Sequence, residues 1–172
     1  NDEEARLLSG IHNIRRAADE VRKRGPRSVI IKRGEHGALL FDEEGIFAAP
    51  AYPLHEVIDP TGAGDCFAGG LLGYLATVPE VTPLAIRQAM VHATATASFC
   101  VEAVGTDRVA KIGQPEVKDR VAGICKLYDF GAHTMRSRGS TSGDRGRATG
   151  GAPRSASFPA SGAAFSMAFS KK

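Results

Sequence analysis

Val57-Ile58-Asp59-Pro60-Thr61-Gly62-Ala63-Gly64-Asp65-Cys66-Phe67-Ala68-Gly69-Gly70 is the stretch from which the rest of the chain is read. A short β-branched run, Glu56 to Asp59, predicts a strand that ends in an acid and a proline. Four turn residues follow. An apolar, small-residue segment through Leu71, Leu72 and Leu75 then predicts a buried helix. A glycine-rich turn that opens a helix leaves backbone N–H groups unpaired at the positive end of the helix dipole. That arrangement binds anions, most often phosphate. An aspartate at position 65 repels such an anion, so its placement needs a reason. Acceptance of a proton from a hydroxyl that attacks a phosphoryl group supplies one. An ordinary strand–turn–helix with a dipole-favouring aspartate is the alternative.

The run Asp59 to Gly70 resembles the C-terminal signature of the ribokinase-like (PfkB) carbohydrate kinases. The resemblance implies an α/β fold, the C-terminal portion of a three-layer α/β/α, Rossmann-like architecture. It also implies Asp65 as catalytic base, with the backbone N–H groups of Gly62, Ala63 and Gly64 as the anion hole. Two further segments stand upstream in family order. Asn1-Asp2-Glu3-Glu4 has the spacing Asn-x-x-Glu, which in the family places Asn1 near the ATP phosphates and Glu4 near Mg²⁺. A capped, acidic helix start is the local alternative. Lys32-Arg33-Gly34-Glu35-His36-Gly37 resembles the family's second nucleotide segment, with Lys32, Gly34 and Gly37 along the phosphates; a plain turn is the alternative. Asp59 and Thr61 are implied as ligands of a monovalent cation such as K⁺, and an Asx turn at Asp59 can coexist with that role. His92 falls where relatives approach the adenine, or else is a satisfied, half-buried histidine.

The chain has 172 residues, enough for one domain with a core, and no apolar run long enough to span a membrane. The net charge of +3 hides an asymmetry: residues 131–172 carry +6 and the first 130 carry −3. The acidic start, Asn1 to Glu4, matches neither a signal peptide nor a transit peptide. Cys66, Cys100 and Cys125 are odd in number and widely spaced. They suit reduced thiols in a cytoplasmic protein better than a disulfide framework or a zinc site.

Residues 1–24 read as one helix with Leu7, Leu8, Ile11, Ile14, Ala18 and Val21 on its apolar face. Ser28–Lys32 reads as a buried strand. Ala38–Phe41 and Ile46–Ala49 read as a hairpin. A helix is expected from about Thr82 to Phe99. A last one is expected from Gln114 to Tyr128, buried through Val117, Val121, Ile124, Leu127 and Tyr128. Residues 1–130 form the expected catalytic and nucleotide-binding portion. Residues 131–172, with 25 of 42 positions Gly, Ser, Ala or Pro, read as a disordered basic tail with no expected nucleic-acid role.

The resemblance covers the C-terminal half of a family member, so the chain reads as truncated, with the substrate pocket in the other half. The expected activity is ATP-dependent phosphorylation of a hydroxymethyl group on a sugar or nucleoside, with a homodimer as the form expected at full length. A kinase of a vitamin precursor (pyridoxal or hydroxymethyl-pyrimidine type) and a non-catalytic nucleotide-binding module are the alternatives.

Overall fold

Alternation along three short strands decides which helices they meet. The computed structural model describes residues 1–129. Its elements run α1 (Asp2–Ser9), α2 (Ile14–Arg22), β1 (Val29–Lys32), β2 (Ala38–Asp42), β3 (Gly45–Ala49), α3 (Ala63–Leu75), α4 (Pro83–Cys100) and α5 (Gln114–Leu127). The strands form an antiparallel sheet in the order β1-β2-β3, with Ile31 opposite Leu39 and Leu40 opposite Phe47. Successive side chains point to opposite faces. Ile31, Phe41, Val29 and Leu39 therefore meet Ala18 and Ile14 of α2. Ile30, Leu40, Ala38, Phe47 and Ala49 meet the core built by α3 and α4. Helices cover both faces, and the expected three-layer α/β/α arrangement is what forms.

The single helix expected over residues 1–24 is two. Gly10 takes the left-handed conformation (φ 70°) that caps a helix C-terminus, and its N–H donates to the Arg6 carbonyl. Asn13 then caps the next helix, its side chain accepting from the Arg16 N–H. The apolar periodicity ran through this break because Ile11 and Ile14 happen to keep phase.

The strand expected at Glu56–Asp59 does not form. Residues 50–60 are irregular, and Val57 and Ile58 stand half exposed. The Ile58 and Asp59 N–H groups both donate to the Val101 carbonyl, at the end of α4, rather than to a neighbouring strand. Among the described residues no strand lies beside them. A β-branched run becomes a strand only where another strand supplies partners.

Among the described elements, α3 and α4 make the most extensive contact. Phe67, Leu71 and Leu75 of α3 face Ala85, Ile86, Ala89, Met90 and Ala93 of α4. Gly70 permits the close approach: a Cβ there would lie 2.7 Å from Thr96 Oγ1 and 3.0 Å from Ala93 Cα. Leu72, expected inside, is 43% exposed, because it falls on the opposite side of α3. Thr82 caps α4 by accepting from the Ala85 N–H. On α5, Ile124 is buried and Val117 and Val121 are half-buried. Leu127 and Tyr128 lie exposed at its end, where the Tyr128 hydroxyl donates to the Ala48 carbonyl. The basic tail expected over 131–172 lies outside the described residues.

Candidate active site

A cleft of about 820 Å³ opens where the end of β1, the N-terminus of α3 and the C-terminal half of α4 converge. Five residues expected to meet the nucleotide border it together: Asn1, Lys32, Gly34, Gly37 and Gly64. They come from sequence positions far apart, and the sheet is what gathers them. Lys32 closes β1, and Gly34 and Gly37 belong to the tight turn that links β1 to β2. At Gly37 (φ 79°) a Cβ would fall on the Ala49 carbonyl oxygen, so the turn and the strand-to-loop corner touch backbone to backbone.

The turn before α3 is set by Gly62, left-handed at φ 80°, which serves as N-cap without a side chain. Asp65 and Cys66 N–H groups both donate to the Gly62 carbonyl, and the Ala63 N–H turns back toward the Pro60 carbonyl at 3.2 Å. The hole expected from three N–H groups thus rests on Gly62 and Gly64, whose N–H groups find no partner within the described residues. Asp65 lies exposed in the first turn of α3, and neither it nor Gly62 is among the residues that border the cleft.

Lys32 gives the site its charge. Its Nζ donates to the Gly64 carbonyl at 3.4 Å, and a Cβ on Gly64 would sit 2.8 Å from that Nζ. An ammonium at a helix N-terminus opposes the dipole. An anion between the two converts the conflict into a double attraction. A side chain at position 64 would displace the flexible end of the lysine from its place beside the Gly64 carbonyl.

Asn1 and Glu4 form a capping box: Asn1 Oδ1 accepts from the Glu4 N–H at 2.8 Å and the Glu4 carboxylate bonds the Asn1 nitrogen. Asn1 borders the cleft; Glu4 stands outside its lining. Asp59 makes the Asx turn, its Oδ1 accepting from the Thr61 N–H at 2.9 Å. The Thr61 hydroxyl first, then the N–H groups of Thr61 and Gly105, hold the Asp59 carboxyl below its ordinary range. The Thr61 carbonyl accepts from the Cys100 thiol at 3.7 Å. Burial, the neighbouring Cys100 and Asp65 push the Cys66 thiol up to about 12, so it stays protonated. His92 does not reach the cleft. It lies against Tyr74, ring centroids 4.4 Å apart, and burial lowers its basicity.

Two features escaped the sequence. Thr94, two positions beyond His92 on α4, is 6% exposed, borders the cleft and has an Oγ1 without a hydrogen-bond partner among the described residues. Only the phase of α4 against α3 puts position 94, and not 92, on the cleft side. Tyr52, in the irregular segment, forms part of the cleft wall with Pro53 and Leu54. No periodicity marks such a segment.

Comparison with known proteins gives a consistent result. Residues 1–112 match the family described as pfkB family carbohydrate kinase. The chain is 44% identical over 78 residues to cytidine kinase from Thermococcus kodakarensis, covering 43% of this chain and 27% of that protein. It is 39% identical over 98 residues to aminoimidazole riboside kinase from Salmonella typhimurium, covering 57% and 30%. Among solved structures, the Salmonella enterica aminoimidazole riboside kinase complexed with aminoimidazole riboside and an ATP analogue superposes with a TM-score of 0.63 at 32% identity, covering 70% of this chain and 40% of that one. The chain therefore spans well under half the length of these relatives.

Proposed function

Because the chain belongs to the pfkB family of carbohydrate kinases, we propose that it carries the nucleotide-phosphate and catalytic-base portion of an ATP-dependent kinase acting on a hydroxymethyl group of a sugar or nucleoside. The observation that carries this reading is the Lys32 ammonium held against Gly64 at the start of α3, with Asp65 one residue on. A cation, two free N–H groups and a carboxylate at one helix start are the parts phosphoryl transfer needs. In this reading Lys32 and the N–H groups of Gly62 and Gly64 stabilise the charge that develops on the transferred phosphoryl. Asp65 accepts the proton of the attacking hydroxyl. Asn1, Gly34 and Gly37 border the path of the phosphates. The relatives named for ribosides and nucleosides favour a ribose-bearing acceptor over a vitamin precursor.

The donor set suits Mg²⁺ held chiefly by phosphate and water. The described residues contain no cluster of three acidic, histidine or cysteine groups, and a single carboxylate, Glu4, is enough for such a site. Mg²⁺ would neutralise phosphate charge there. Asp59, held ionised, and the Thr61 carbonyl fit a monovalent cation such as K⁺ beneath the anion turn. No helix among the described residues is long and apolar enough to cross a membrane. Three free thiols fit a cytoplasmic setting.

The test has two parts. Calorimetric titration should show ATP binding by this chain, retained in Asp65→Asn. In the full-length enzyme, phosphoryl transfer from ATP to a panel of sugars and nucleosides should be lost on Asp65→Asn; unchanged turnover would sink the base assignment. A second reading, a nucleotide-binding module without turnover, is favoured by the position of Asp65 outside the residues that border the cleft. ATP binding by the full-length protein with no transfer to any acceptor would favour it.

A further inference from the structure

The family match ends at residue 112, and α5 begins at Gln114. Yet α5 reaches back to the cleft through one side chain. The Arg120 guanidinium lies 3.7 Å from the centroid of the Phe99 ring and 4.6 Å from that of Tyr52, so it is stacked between two aromatic faces. Its Nη1 donates to Glu102 Oε1 at 2.6 Å and to Ser98 Oγ at 3.0 Å. Glu102 is shared with Arg108, which also lies 5.1 Å from the Phe99 centroid and pairs with Glu116 of α5. One turn beyond Arg120, Gly123 leaves room for the Tyr52 ring: a Cβ there would lie 3.1 Å from Tyr52 Cε2.

Tyr52 belongs to a stretch without secondary structure. Such a stretch has no ladder to fix it, so side-chain anchors decide where it lies. For Tyr52 the anchor is Arg120 above the bare backbone of Gly123. The residues on either side of this contact, Tyr52 from the loop and Ser98 from α4, both border the cleft. Arg120 therefore sets the separation between the loop wall and the α4 wall. This part of the cleft is flanked by Pro53, Leu54, Ala97 and Val101, in contrast to the cationic part at Lys32. It also holds the Thr94 hydroxyl, buried and without a partner. A flat aromatic wall, apolar neighbours and one unsatisfied hydroxyl suit a planar heterocycle.

We infer that Arg120 is a positioning residue for the cleft, holding the Tyr52 ring as the wall against which the base of the nucleotide lies. The inference rests on the reading of the cleft as a nucleotide site. Arg120 touches no ligand in this account; it acts through Tyr52. Lysine cannot replace it, because an ammonium keeps the pairing with Glu102 but cannot stack flat between two rings.

The experiment is calorimetric titration of this chain with ATP and, separately, with inorganic tripolyphosphate, which has the charge and lacks the base. Arg120→Lys should weaken ATP binding about tenfold and leave tripolyphosphate binding unchanged. Tyr52→Ala should show the same split, and the double variant should lose no more than either single one. If Arg120→Ala fails to fold, Arg120→Lys and Tyr52→Ala still decide. Wild-type ATP affinity in Arg120→Lys, or equal loss for both ligands, would overturn the inference and leave the phosphate site standing. An unaltered chain that binds neither ligand would overturn the nucleotide reading itself, and this inference with it.

Discussion

The two faces of the sheet use the same three strands and bury very different amounts of side chain. Toward α3 and α4 lies a continuous core with Leu40, Ala89, Met90 and Ala93 wholly enclosed. Toward α1 and α2 the enclosed set is Ala17, Ala18, Ile31 and Phe41, and α1 contributes no buried residue at all. Leu7 of α1 is 86% exposed. In the proposed reading the division follows the chemistry. Gly62, Gly64 and Asp65 stand on the thick side, at the start of a helix that cannot shift without disrupting the core. Asn1 and Glu4 stand on the thin side, on a helix fixed by its capping box and by the Asp2–Arg6 pair more than by packing. Charge-stabilising groups benefit from a rigid mount. A metal-approaching carboxylate can act through water and needs less.

The largest expected effect on this contrast comes from its centre. Met90→Ala should lower the unfolding free energy by about 2–5 kcal/mol in a denaturant titration. Leu7→Ala on the thin side should stay within about 0.5 kcal/mol. Equal losses would remove the distinction between the faces. Next, Gly70→Ala should cost about 1–3 kcal/mol, since the new methyl group meets Thr96 and the Ala93 backbone across the α3–α4 contact. A neutral result would mean the two helices can separate freely. A smaller stability change but a clear binding change is expected for Gly64→Ala. Displacement of the Lys32 ammonium should weaken tripolyphosphate binding about tenfold, and Lys32→Met should do the same, with no further loss in the double variant.

The mildest effect is one of pH. Burial holds His92 below the ordinary histidine value of about 6.5, so the unfolded chain takes up its proton first. The folded state therefore has its full His92 contribution above that value and loses it as pH falls through the window beneath. His92 is only partly buried, so the slope should be shallow. The thermal midpoint should decline gently on acidification below neutrality, and His92→Gln should flatten that limb. An unchanged slope in the variant would assign the acid sensitivity to other groups.

Much of the thick side was legible in the sequence. The motif from Asp59 to Gly70 placed the turn and the helix start, with Asp65 in its first turn, because glycine, proline and acid each have few conformational uses there. The strands β1 to β3 followed from β-branched and aromatic runs between turn residues. The errors share one origin, which is that burial depends on what lies opposite. Leu72 and Leu127 are as apolar as Leu71 and Ile124, and only the placement of neighbouring helices exposes them. Val57 and Ile58 have strand composition but no strand partner among the described residues. Thr94 and His92 sit two positions apart on one helix, so an error in helical phase put the wrong one of them at the cleft. Tyr52 and Arg120 carry no local pattern at all, since their contact joins a loop to a helix 68 positions later.

The glycine contact at position 70 also has a consequence in time. Helices pressed backbone against side chain at one point, and enclosed around Phe67, Leu71 and Met90, cannot open one without the other. Their amide protons should therefore exchange with solvent together and slowly, as one cooperative unit. Those of α1 should exchange first. The anion turn would then share the lifetime of the whole α3–α4 pair, and it would be among the last parts of the chain to melt.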